Sequence, residues 1–217
     1  CGYHGWHDWY LAANIKSKDG LDEHLLSGLE TNGVPKSLEG TVFPFRYNDY
    51  EELEKIVDNH DIGVIKMEVI RNKGPEDNFL EKVRELSSKK GIVLIFDECT
   101  SGFRESFGGI HKNFNVDPDI AMFGKALGNG YGVTAIVGRK EAMEAAQNSF
   151  MSSTFWTERI GPAAAIKTLE IMEDIKSWEQ ISKTGKYIKE EWVSFVLYYN
   201  FNYRIFKLRK FHLKNIF

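Results

Sequence analysis

Residues 91–96, Gly-Ile-Val-Leu-Ile-Phe, form a continuous apolar run that ends directly on two carboxylates, Asp97 and Glu98. A run this short and this rich in β-branched residues suits a strand buried on both faces, in a sheet sandwiched by helices. Its surroundings extend that pattern. Residues 62–67 read as another strand, preceded by an acidic helical stretch at about 51–59. Residues 77–90 place Leu80, Val83 and Leu86 at helical spacing with charges between them, as a helix covering a sheet would. Two more strands are expected at 119–123 and 133–137, with the glycine-rich turn GKALGNGYG lying between them. Helices are expected at 139–148 and 159–175, where Pro162 falls in the first turn and its missing N–H does little harm. Short strands alternating with helices predict an α/β fold with a mainly parallel sheet flanked by helices.

A chain of 217 residues suffices for one ordinary domain and is too short for two large ones. Its net charge of -3 hides an uneven distribution: residues 192–217 contain five Lys and Arg, no Asp or Glu, and nine aromatic residues. The preceding 191 residues therefore carry -8, from 23 basic and 31 acidic side chains. The basic, aromatic end could suit a membrane surface or a nucleic acid. Its aromatic residues lack helical periodicity, however, and a disrupted or misjoined reading frame is the preferred reading, with neither membrane nor nucleic acid as a partner. Two cysteines, Cys1 and Cys99, make no disulfide framework and point to a reducing, cytoplasmic setting. No apolar run reaches membrane-spanning length, and nothing near Cys1 resembles a signal peptide.

Three places could carry chemistry. Asp97 and Glu98 emerge at the carboxyl end of a strand, the edge where open α/β sheets bind ligands. They could equally cap the next turn or meet solvent. A nucleotide-triphosphatase reading lacks its partner loop G-x-x-x-x-G-K-[ST], and GNGYG is too short for a dinucleotide fingerprint. Lys125 follows apolar residues at another strand end. Its head could snorkel to water, or desolvation could lower its amine pKa and make it a nucleophile suited to a Schiff base. At the start, Cys1, His4 and His7 match no standard zinc spacing, so no metal site is expected; Tyr3 beside His4 and Gly5 offers an aromatic face instead.

Taken in order, the segments Tyr3-His4-Gly5, FDECTSGFR, FGKALGNG and SSTFWTERIGP resemble the class III aminotransferases, and within them the glutamate-1-semialdehyde aminomutase branch. The likeness extends from residue 2 to about Trp192. It implies the large domain of pyridoxal-phosphate fold type I, and transfer of an amino group between an amine or amino acid and a carbonyl compound. The intramolecular transfer of the aminomutase, or an inactive truncated fragment, are the alternatives. By the same resemblance Lys125 forms the Schiff base with pyridoxal 5'-phosphate and then moves protons. Asp97 pairs with the ring nitrogen, Tyr3 stacks on the ring with His4 beside it, and Cys99 takes the opposite face, where the family has an apolar side chain. Thr154 would reach the phosphate in a neighbouring subunit, so a homodimer sharing its sites is expected.

Departures from the family pattern are local. Glu68 is followed by Val69 rather than proline, which leaves Glu68 a supporting role. Residues 155–159, Phe-Trp-Thr-Glu-Arg, replace a small Gly-Asn-Pro type of sequence and suggest an unusual amine or sugar-like substrate. The phosphate-holding Ser-Gly-x-Glu-Ala loop of the family would lie upstream of Tyr3. The expected organisation is therefore a partial cofactor-binding domain at 1–158, helices leading toward a small domain at 159–192, and an atypical tail at 193–217, the whole cut from a longer enzyme.

Overall fold

Four strands make one sheet in the order β1 (Val64–Glu68), β2 (Val93–Asp97), β3 (Ile120–Phe123) and β4 (Ala135–Gly138). The first three are parallel and β4 runs antiparallel to β3. The computed structural model describes residues 7–24, 28–71, 73–152 and 154–198. The helices are α1 (His7–Leu11), α2 (Tyr50–Asn59), α3 (Phe79–Lys90), α4 (Lys140–Glu144), α5 (Ile160–Ile175) and α6 (Ser177–Tyr198). All the strands and helices expected from the sequence are present, within a few residues of their expected ends. The helix expected at 139–148 is α4 followed by a 3-10 turn, Ala145–Asn148.

Local chemistry sets the boundaries. Asp49 starts α2 by accepting the Glu52 N–H at 3.0 Å, which satisfies one of the unpaired donors of the first turn. Gly91 stops α3: it adopts φ +68, and its N–H closes the helix onto the Ser87 and Ser88 carbonyls. The apolar run expected to begin at Gly91 therefore yields a strand only from Val93. Glu158 precedes α5 and accepts the Gly161 N–H at 2.9 Å.

The core lies on one face of the sheet. Leu53 and Val57 of α2 and Leu80, Val83 and Leu86 of α3 pack on Ile65, Met67, Leu94 and Phe96. Ala121 and Phe123 of β3 continue that face, by register, and pack with Ala165 of α5. The opposite face carries Val64, Lys66, Val93, Ile95, Asp97 and Met122, none of them fully buried. The expectation that β2 is buried on both faces is thus corrected. Leu94 and Phe96 are buried, while Val93 and Ile95 are half-buried, because α2 and α3 cover one side only.

Candidate active site

Because β1, β2 and β3 run parallel, their carboxyl ends open together on one edge of the sheet. Asp97 ends β2, and its register partner on β3 is Met122. Three residues beyond Met122, Lys125 opens the 3-10 turn Lys125–Leu127 with φ +47. That left-handed conformation is strained for a side chain with a Cβ, and such strain concentrates where function fixes the geometry. Lys125 Nζ donates to Thr100 Oγ1 at 2.9 Å, tying the end of β3 to the turn that follows β2. Cys99 lies in that turn. Its N–H donates to Asp97 Oδ1 at 3.0 Å, and its Sγ lies 3.4 Å from the point where a Cβ on Gly124 would sit. Asp97, Cys99 and Lys125 are therefore brought to one neighbourhood.

The two adjacent carboxylates separate by strand parity. Glu98 follows Leu94 and Phe96 to the covered face, where it is 0% exposed. It accepts the His111 N–H at 3.0 Å, His111 Nδ1 at 2.8 Å and the Ser101 hydroxyl. Burial alone would raise its pKa, but hydrogen bonds from His111 and Ser101 outweigh that and hold it below its ordinary value. Glu98 thus braces the turn after β2. Asp97 faces the half-open side, where Lys66 Nζ donates to its Oδ2 at 2.6 Å. Burial opposes its charge too, yet the Lys66 ammonium and the Cys99 N–H hold the carboxyl below its usual range. The Cys99 thiol moves the other way, pushed up by burial and then by Asp97.

The remaining expected residues are placed less closely. Lys125 is exposed, so the burial that the sequence allowed for its side chain is not supplied by the described residues. Thr154 is exposed in the turn 154–157, and no hydrogen bond or ion pair among the described residues joins it to Asp97, Cys99 or Lys125. It is flanked by exposed apolar side chains: Phe150 at 98%, Phe155 at 73% and Trp156 at 68%. Glu68 accepts Arg71 Nη1 at 2.8 Å, and Val69, in the position expected of proline, is fully buried. Tyr3, His4 and Cys1 lie outside the described residues; His7 pairs with Asp8 at 2.9 Å. The sequence reading missed Lys66, Thr100, Ser101 and His111. The available signal for Lys66 was a cation between Ile65 and Met67 in a strand, on the same side as Asp97 once β1 and β2 pair. Among the described residues, no helix is long and apolar enough to cross a membrane.

The model of the family described as aminotransferase class-III matches residues 48–199. A 3-aminobutyryl-CoA aminotransferase of Cloacimonas acidaminovorans is 38% identical over 194 residues, covering 85% of this chain and 43% of that protein. A glutamate-1-semialdehyde 2,1-aminomutase of Sulfurisphaera tokodaii is 34% identical over 214 residues, covering 95% of this chain and 50% of that protein. Among solved structures, the FumI protein of Sphingopyxis sp. MTA144, in its PLP internal aldimine form, matches with a TM-score of 0.69 at 26% identity, covering 74% of this chain and 41% of that one. The chain spans about half the length of the curated relatives it matches.

Proposed function

Because this chain belongs to the class III aminotransferases, we propose that it binds pyridoxal 5'-phosphate and moves an amino group between a small amine or amino acid and a carbonyl compound. The observation that carries the reading is an ionised carboxylate, Asp97, and an accessible primary amine, Lys125, at neighbouring strand ends and linked through the Cys99–Thr100 turn. That donor set suits the cofactor: an anion for a protonated ring nitrogen and an amine for its carbonyl carbon. When bound, the cofactor supplies an electron-withdrawing ring beside the carbon that carries the amino group. Asp97 would pair with the ring nitrogen and keep it protonated. Lys125 Nζ would hold the cofactor at its carbonyl carbon and, once the substrate's amine takes that place and frees it, would carry a proton to and from the substrate's α-carbon. Cys99 would take one face of the ring, and the resemblance assigns the other to Tyr3 and His4, which lie outside the described residues.

Thr154 serves the site of a second copy, so the working unit is a homodimer. The exposed Phe150, Phe155 and Trp156 around Thr154 support that reading, as apolar surface of the kind that interfaces cover. On the same reading residues 1–158 belong to the cofactor-binding domain, 159–192 lead toward a smaller one, and 193–217 are an atypical tail whose first residues, to Tyr198, continue α6. The thiol of Cys99 favours the reducing cytoplasm. A second reading, amino transfer within one molecule, is favoured by the 34% identity to the Sulfurisphaera tokodaii aminomutase.

The test is reconstitution with pyridoxal 5'-phosphate, followed by absorbance in the visible region. The chain develops a lysine-bound cofactor band that Lys125→Ala abolishes. An unchanged band in Lys125→Ala would remove Lys125 from this role.

A further inference from the structure

Asp97 does not wait for a cofactor with its charge unmet. Lys66 projects from β1 on the same side of the sheet, since its register partner is Ile95 and that of Glu68 is Asp97. The pair is 2.6 Å apart, with side chains 15% and 14% exposed. A cation that secluded is held there by its partner, and it is screened far less by solvent than a surface pair. Asp97 Oδ2 takes Lys66 and Oδ1 takes the Cys99 N–H. An ionised carboxylate has about four lone-pair positions; Lys66, the Cys99 N–H and the Cys99 thiol take three, so room remains for one further donor. Other charged or titratable groups near it, among the described residues, have partners of their own. Glu68 on β1 pairs with Arg71, Cys99 contributes a thiol raised by burial, and Lys125 after β3 bonds to Thr100.

Resting on the cofactor reading above, we propose that Lys66 is a positioning residue that shares Asp97 with the cofactor's ring nitrogen and weakens the carboxylate's hold on that nitrogen's proton. The argument is one of charge. A carboxylate facing a single cation spends its full attraction on it, whereas Asp97 divides its attraction between a resident ammonium and a ring N–H. The ammonium also repels a protonated ring. The ring nitrogen therefore gives up its proton at lower pH than it would beside Asp97 alone, so the strength of the electron sink is set on β1, away from the reacting atoms.

The test compares wild type, Lys66→Met and Lys66→Arg in two titrations. In the cofactor-free chain, carbon NMR of the Asp97 carboxyl reads its midpoint; in the chain loaded with nitrogen-15-labelled pyridoxal 5'-phosphate, nitrogen NMR reads the ring nitrogen. Lys66→Met raises both midpoints by about one pH unit or more, roughly a tenfold change in each proton equilibrium, while Lys66→Arg stays near wild type. Should the Met variant fail to fold by circular dichroism, Lys66→Gln, an uncharged donor, gives the same upward shift. A ring-nitrogen midpoint unmoved or lowered in the uncharged variants, or displaced as far by Arg as by Met, overturns the proposal. A wild-type chain with no visible cofactor band would sink the cofactor reading and this inference with it. A normal band with an unmoved midpoint sinks this inference alone.

Discussion

Replacing Glu98 by alanine removes the acceptor of three hydrogen bonds from a place with no exposure to solvent. Two of the donors, the His111 N–H and its ring nitrogen, belong to a buried residue, and the Ser101 hydroxyl is half-buried. Hydrogen bonds to a charged group contribute about 1.5–3 kcal/mol each, and a buried donor left unmade costs about 1–3 kcal/mol. Ser101 can rotate to another partner, and water can enter part of the vacated space. Glu98→Ala is therefore expected to cost about 3–5 kcal/mol, a large share of the roughly 5–15 kcal/mol that holds an ordinary domain together. Its neighbour behaves differently. Asp97→Asn keeps the shape and one carbonyl acceptor but takes the counter-charge from the largely buried Lys66, at a cost of about 2–4 kcal/mol. Urea unfolding followed by circular dichroism measures both, read from the midpoint at constant slope. Cofactor binding should rank them in the opposite sense, with Asp97→Asn more damaging per unit of stability lost. A Glu98→Ala cost below about 1 kcal/mol would refute the role of Glu98 as the brace of the turn after β2.

Three further outcomes follow from the same geometry. A Cβ on Gly109 would sit 2.3 Å from His111 Nδ1 and 2.8 Å from Glu98 Oε1, so Gly109→Ala should lower stability by about 1–3 kcal/mol in the same urea assay. Asp97, Glu98 and Asp119 all have pKa values below their ordinary 3.8 or 4.5, so the stability they contribute is fully present above about pH 4.5 and is lost as pH falls through the lowered values. The urea midpoint should accordingly hold steady down to that region and drop below it. On the proposed homodimer reading, Trp156→Asp, placed in the exposed apolar surface beside Thr154, should shift the cofactor-loaded chain toward monomer in sedimentation, with its circular dichroism unchanged.

Much of this molecule is legible in its sequence because period and parity act locally. Leu80, Val83 and Leu86 announce a helix with one apolar side, and all three are buried. The run at 91–96 announces a strand but not its one-sided burial, which depends on which helices come to lie over it. The same alternation could have separated the two carboxylates: Leu94, Phe96 and Glu98 share one parity and are buried, while Val93, Ile95 and Asp97 share the other. The motifs pointed to Asp97, Cys99 and Lys125, and the fold brings them together. Lys66 escaped notice because its meaning arises only when β1 pairs with β2, a contact between residues far apart in the chain. The strained backbone at Lys125 has no sequence signature at all, since its neighbours are compatible with an ordinary turn.

Borohydride reduction of the chain loaded with pyridoxal 5'-phosphate, followed by peptide mapping, tests the central claim most directly, because it fixes the cofactor to whichever amine holds it. The account predicts one modified peptide carrying the cofactor on Lys125, absent from Lys125→Ala. Modification at Lys66, or scattered over the surface lysines with Lys125 untouched, would contradict it.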